Sequence, residues 1–266
     1  MDDTTVPQSS RVLALWPSQS PSILPTLAIY PASKPNNINA TILILPGGGY
    51  EGHADYEGHD IAVALNKQGF DAAVLKYRVA PHQHPAPIHD VQRAIRLIKK
   101  NASQYNLRAD KIAVLGFSAG GHLASTLAVH WDQFISPEDD FAQLSARPDA
   151  VVLCYPVIDL DGEASHVGSR ENLLGQDAPQ DLRQLMSTHM QVRLDSPPTF
   201  VWHTMTDEAV PVENAILFAQ ACRAKQVPVE MHLYEKGRHG LALLGEVPGI
   251  NSWFDHAVQF LERHLI

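Results

Sequence analysis

Short apolar runs rich in β-branched residues recur at 41–45, 72–77, 111–116, 150–155, 199–203 and 229–234, each strand-sized. Between them, apolar positions return every three or four residues at 61–68, 91–104, 122–130, 212–225 and 253–265, the period of a helix with one buried face. Strand and helix alternate throughout, which predicts an α/β fold: a mostly parallel sheet flanked by helices on both faces. The proline-rich first 40 residues add two strand-like segments, 12–16 and 26–30, which fit an antiparallel start to that sheet. No internal repeat or low-complexity linker breaks the pattern, so a single domain over 1–266 is expected. The longest departure is the polar, partly helical insertion at 159–198, expected near the mouth of a site at the strands' C-terminal ends or as decoration of the edge.

Composition narrows the possible partners. A hydrophobic share of 45% with 18% charged residues suits a chain that packs a core. Twenty basic against 29 acidic residues give a net charge of −9, and no basic run exceeds Lys99-Lys100, so nucleic acid is not an expected partner. No apolar run approaches the roughly 20 residues that cross a bilayer, so no membrane span is expected. The N-terminus, MDDTTVPQSSR, has no apolar core after a basic start and does not read as a signal peptide. Cytoplasm is therefore the expected location, or the exterior if a leader has been removed. Cys154 and Cys222 fall in strand and helix patterns, too few for a disulfide framework or a cysteine-ligated zinc. His82, His84 and His89 crowd into HQHPAPIHD, but the prolines at 81, 85 and 87 make that stretch extended and no carboxylate cluster joins it, so no metal is expected.

The stretch GFSAGGHLAS carries the most specific chemistry. Ser118 stands between a buried strand and a helix, with Gly116 and Gly120 supplying the space a sharp turn needs. Such a turn lifts the hydroxyl out of the sheet, and the helix N-terminus behind it favours developing negative charge. A serine nucleophile needs a base, and the base needs an orienting acid. Asp207 follows the strand at 199–203, and His239 follows the strand at 229–234, flanked by Gly237 and Gly240. Ser118, Asp207 and His239 thus all fall at the C-terminal ends of parallel strands, where open α/β sheets bind ligands. Glu208, Asp159 and Asp161 compete for the role of the acid, and Asp207 is favoured as the first acid beyond its strand.

Acyl transfer also needs donors for an oxyanion. The run LPGGGY follows the strand at 41–45 and lacks the G-K-[ST] ending of a phosphate loop. Its glycine amides at Gly48 and Gly49, with the amide of Ala119 after the nucleophile, are the candidate oxyanion hole. Tyr50 either walls the acyl pocket or packs on the core. Arg78 either orients a polar substrate group or holds its loop through an ion pair.

LPGGGY, LKYRVAP, HPAPIHDVQRAIRLI, LGFSAGGHLAST, DEAVPVENA and EKGRHG, in this order, resemble the α/β-hydrolase superfamily in its small acetyl-esterase or acetylxylan-esterase-like (feruloyl-esterase-like) branch. The resemblance implies an eight-stranded sheet, no cofactor, and deacylation of short-chain esters, often acetyl groups on sugars or oligosaccharides. By motif position it gives the nucleophile to Ser118, the acid to Asp207 and the base to His239. Leu45-Pro46 stands where the hormone-sensitive-lipase branch has a histidine, which argues against that branch and its large cap domain. The expected protein is a serine esterase acting on a small-molecule or oligosaccharide ester. The alternatives are an amidase or arylformamidase, a peptidase-like hydrolase, and a catalytically silent binding protein.

Overall fold

The computed structural model describes residues 11–17, 25–33 and 39–266. Among these residues eight strands form one sheet: β1 (Arg11–Ala14), β2 (Thr26–Tyr30), β3 (Ala40–Leu45), β4 (Asp71–Lys76), β5 (Lys111–Phe117), β6 (Ala150–Cys154), β7 (Thr199–Thr204) and β8 (Val229–Tyr234). Their spatial order is β1-β2-β4-β3-β5-β6-β7-β8. Only the pairings of β1 with β2 and of β2 with β4 are antiparallel; the rest of the sheet is parallel. The α/β class and the antiparallel start read from the sequence are the observed ones.

Helices α1 (His59–Lys67), α2 (Ala86–Tyr105), α3 (Ser118–His130), α6 (Glu213–Ala224) and α7 (Ser252–Leu265) cover the stretches the periodicity marks, with α2 and α3 beginning five and four residues before them. The insertion contributes two short ones, α4 (Val167–Leu174) and α5 (Gln180–Met186). Strand residues divide between two cores with the period of two that the pleat imposes. Leu43, Leu45, Ile112 and Val114 face one core with α2, α3 and α6, whereas Ile42, Ile44, Ala113 and Leu115 face the other with α1 and α7. α7 shows why its pattern was readable: Trp253, Phe254, Ala257, Val258, Leu261 and Leu265 are buried, one face of a helix.

The stretch HQHPAPIHD is not extended throughout. α2 begins at Ala86, so Pro87 and His89 occupy its first turn, where proline's missing N–H costs nothing. His84 packs edge-on against Phe134. Among the described residues, no helix is long and apolar enough to cross a membrane.

Candidate active site

Because β3, β5, β7 and β8 run parallel, the loops after them open on one edge of the sheet. β5 passes directly into α3, and the junction residue Ser118 takes a left-handed backbone, φ 51°. That sharp reversal requires its glycines. A Cβ on Gly116 would sit 2.2 Å from the Gly120 carbonyl oxygen, and one on Gly120 would sit 2.2 Å from that of Leu45. The elbow is thereby pressed against the end of β3, and α3, buried along its whole length, fixes it from behind.

Ser118 Oγ lies 2.8 Å from His239 Nε2, and His239 Nδ1 lies 2.6 Å from Asp207 Oδ2. The side chain of Asp207 is 1% exposed, and its other oxygen accepts the backbone N–H groups of Ala209 and Val210, each at 3.0 Å. Burial alone would raise its pKa, but hydrogen bonds from His203 and His239 win and hold it well below the ordinary carboxylate range. An ionised carboxylate can only accept, so Nδ1 of His239 carries a proton and Nε2 offers its lone pair to the serine hydroxyl. His203, which sequence reasoning passed over, donates through Nε2 to Asp207 Oδ2 at 3.2 Å and to the Val210 carbonyl at 3.0 Å. The rival acids stand elsewhere. Glu208 is exposed, Asp159 caps the backbone of Asp161 and Gly162, and Asp161 pairs with Arg183.

The glycine loop after β3 is organised by Glu57, 2% exposed. Its Oε2 accepts the Gly47 N–H at 2.8 Å and its Oε1 the Tyr155 hydroxyl at 2.7 Å. Burial pushes the Glu57 carboxyl up, opposed by those two donors. With Gly47 engaged, none of the described residues accepts from the amides of Gly48 or Gly49, and both glycines line a cleft of about 230 Å³ with Ser118 and His239. Ala119 follows in the first turn of α3, where backbone amides have no acceptor within the helix. Ala54, Tyr56, Glu57, His166 and Gly240 complete the lining. A second, wider depression of about 600 Å³ shares His239 and runs past Thr206, Glu208, Lys236 and Arg238.

For two residues the sequence left a substrate role and a structural role open, and in both cases the side chain lies away from the cleft. Tyr50 does not wall this cleft. It is 1% exposed, its left-handed backbone (φ 57°) turns the ring inward, and its hydroxyl meets His122 Nδ1 at 2.8 Å under the loop. His122 donates through Nε2 to the Met186 carbonyl, so Nδ1 accepts from the tyrosine, and burial pushes its pKa down to about 4. Arg78 does not reach the cleft either. Its Nε and Nη2 close on the buried carboxylate of Asp90 at 2.9 and 2.7 Å, the ion pair that was the other reading.

Residues the sequence did not single out come from remote parts of the chain. Glu57 and Tyr56 form the 3-10 turn after the glycine loop, whereas His166 and Asn172 come from the insertion. Asn172 donates to the Gly49 carbonyl at 2.9 Å, so the insertion props the loop as well as facing the cleft. A hint existed in the acids and aromatics of EGHADYEGH beside the glycines, but a sequence does not show which of them turns inward.

This sheet, with a serine elbow after its central strand and an acid and a histidine on later loops, is the α/β-hydrolase fold. The sequence pattern of the BD-FAE family matches residues 27–222, and the chain belongs to that family. Over 77% of its length it is 39% identical to the endo-1,4-beta-xylanase B of Butyrivibrio fibrisolvens, and over 85% it is 31% identical to the acetylxylan esterase of Xylanibacter ruminicola. It spans 33% and 45% of those two curated relatives. The crystal structure of an acetyl ester-xyloside bifunctional hydrolase from Caldicellulosiruptor lactoaceticus superimposes with a TM-score of 0.84 at 39% identity, covering 98% of both chains.

Proposed function

We propose that this chain is a serine esterase that removes short acyl groups, acetyl foremost, from the hydroxyls of sugars or oligosaccharides. The observation that carries the reading is the hydrogen-bonded line Ser118, His239, Asp207 opening into the same cleft as the unengaged amides of Gly48 and Gly49. Ser118 attacks the ester carbonyl while His239 Nε2 takes its proton. The oxyanion settles on the amides of Gly48, Gly49 and Ala119, donors worth about 2.7–4 kcal/mol each in the transition state. His239 then returns the proton to the departing alcohol, and water hydrolyses the acyl-enzyme by the same route. Asp207, ionised and fully hydrogen-bonded, keeps the imidazole in the tautomer both steps need.

The small cleft favours a short acyl group, and the relatives named for acetyl esters and xylan favour a sugar as the alcohol. The test is hydrolysis of p-nitrophenyl esters from acetate to octanoate alongside acetylated xylo-oligosaccharides, with Ser118→Ala as control. Activity confined to the shortest esters and the sugars, abolished in Ser118→Ala, is expected. A preference for long chains, or a control as active as the parent, would overturn the reading.

A further inference from the structure

His166 stands at the N-terminus of α4 with extended backbone, φ −80° and ψ 98°, and caps the helix with its own ring. The backbone N–H of Ser169 reaches His166 Nδ1 at 3.2 Å, and the Ser169 hydroxyl lies 2.9 Å from the same atom. A backbone N–H can only donate, so Nδ1 holds a lone pair and the ring proton sits on Nε2. Protonating Nδ1 would break the cap and place a cation on the positive end of the helix. Burial, with His239 nearby, lowers the His166 pKa in the same direction. The ring is thus locked as a neutral imidazole whose Nε2–H has no acceptor among the described residues.

His166 lines the cleft that holds Ser118, Gly48, Gly49 and His239. The other polar groups of the cleft are committed. Tyr56 donates its hydroxyl to the Gly240 carbonyl, Glu57 already takes two donors, and His239 Nε2 serves the serine. If the ester carbonyl oxygen settles on the glycine amides, His166 Nε2–H is left for a second acceptor oxygen on the substrate. The acetyl group has no second oxygen, and the bridging ester oxygen is the one that takes the proton from His239 as the alcohol departs, so the acceptor for His166 belongs to the rest of the alcohol.

We propose that His166 is a specificity-determining residue: its Nε2–H recognises an oxygen adjacent to the esterified carbon of the alcohol, such as the neighbouring hydroxyl of a sugar ring. This inference rests on the esterase reading above. It gives the insertion a role in selecting substrates that carry a vicinal oxygen over plain alkyl or aryl acetates.

The experiment compares p-nitrophenyl acetate, a mono-O-acetyl xyloside with a free neighbouring hydroxyl, and the matching deoxy xyloside that lacks that hydroxyl. His166→Ser keeps an oxygen able to cap α4 but is too short to reach the substrate, and its melting temperature reports whether the cap survives. The parent enzyme is expected to prefer the hydroxyl-bearing xyloside over the deoxy analogue by about tenfold in kcat/KM, the scale of one neutral hydrogen bond. In His166→Ser that preference disappears, chiefly through a raised KM for the hydroxyl-bearing xyloside, whatever the change in p-nitrophenyl acetate turnover common to all three substrates. A variant that loses all three activities equally, or none, would overturn the inference and leave the esterase reading intact. A parent enzyme that cleaves p-nitrophenyl acetate but neither xyloside would instead overturn the sugar-ester reading, and this inference with it.

Discussion

The substitution Asp207→Asn tests the tautomer argument more sharply than removal of the side chain. Asparagine has one acceptor oxygen where aspartate has two, and the structure decides where that oxygen goes. Asp207 Oδ1 accepts the amides of Ala209 and Val210, which can only donate, whereas Oδ2 faces two imidazoles. The asparagine carbonyl must take the first position, leaving its NH2 against His239 Nδ1. His239 relieves the clash by moving its proton to Nε2, and a protonated Nε2 cannot accept from Ser118. Wrong-tautomer inactivation of this kind lowers kcat by about 10⁴-fold, equivalent to about 5.4 kcal/mol. His203 Nε2–H also meets the new NH2 but keeps the Val210 carbonyl, so the stability cost stays near about 1 kcal/mol. Hydrolysis of p-nitrophenyl acetate and urea unfolding, run on the same preparations, measure the two effects. A folded variant retaining more than about a tenth of the parent kcat would refute the assignment of Asp207 as the orienting acid.

The acid limb of stability carries a sign that can be checked on the same pair of proteins. Asp207 has a depressed folded-state pKa, so its contribution is fully present above the unfolded value of about 3.9 and is lost as pH falls through the lower folded value. The stability gap between the parent and Asp207→Asn is therefore expected to be constant near neutrality and to shrink below about pH 4; a gap that widens there would contradict the sign. Gly120→Ala drives a Cβ to 2.2 Å from the Leu45 carbonyl oxygen and 2.5 Å from that of Pro46, backbone atoms with no room to yield. A loss of about 3 kcal/mol, or about 6–12 °C in Tm, is expected. Gly52→Ala, with nothing within 4 Å of the new methyl, is the control and should stay within about 0.5 kcal/mol. Arg78→Met leaves the fully buried Asp90 carboxylate with its Trp16 and backbone donors alone, which should cost about 3 kcal/mol in denaturant unfolding while KM holds. A raised KM with unchanged stability would return Arg78 to the substrate.

What the sequence showed and what it hid divide along a physical line. The strands from β3 to β7 were legible as short apolar runs buried on both faces, β8 as a short apolar run at the sheet's edge, and the helices α1, α2, α6 and α7 because each buries a periodic face against the sheet; all of these signals are local. The spacing also placed Ser118, Asp207 and His239 on one edge, since parallel strands put their following loops there. α3 was read from 122 rather than from Ser118, because the chain enters it through a left-handed residue and every position from Ser118 to His130 is buried, leaving no polar face to mark its first turn. The insertion resisted reading for a different reason. Asn214 Oδ1 accepts from the amides of Ile158 and Asp159, its Nδ2 donates to Ala164 O, and the Ser187 hydroxyl accepts from Leu160 N, so partners as far as 56 residues away shape the segment. The inward turn of Tyr50 was hidden likewise, since it depends on the partner that His122 supplies.

Glu57 shows how such long-range bonds serve the site. Among the described residues no lysine or arginine pairs with it, so its burial is offset by hydrogen bonds alone. An uncompensated carboxylate in that position would cost several kcal/mol, and selection for stability would favour an apolar replacement. The bonds it makes suggest what it gives in return. Through Gly47 N–H it holds the loop after β3, whose next two glycines line the cleft. Through the Tyr155 hydroxyl it reaches the end of β6, and that hydroxyl in turn accepts the Ala242 N–H at 3.1 Å, in the segment just beyond His239. The Tyr155 ring stands edge-on to the His239 imidazole with centroids 4.9 Å apart. One carboxylate therefore couples the candidate oxyanion donors to the candidate base His239, two parts that the proposed mechanism needs in register before charge develops on an ester. Electrostatic stabilisation is effective only when its dipoles are already oriented, and orientation here depends on a buried acid, which Leu or Met of similar size could not replace.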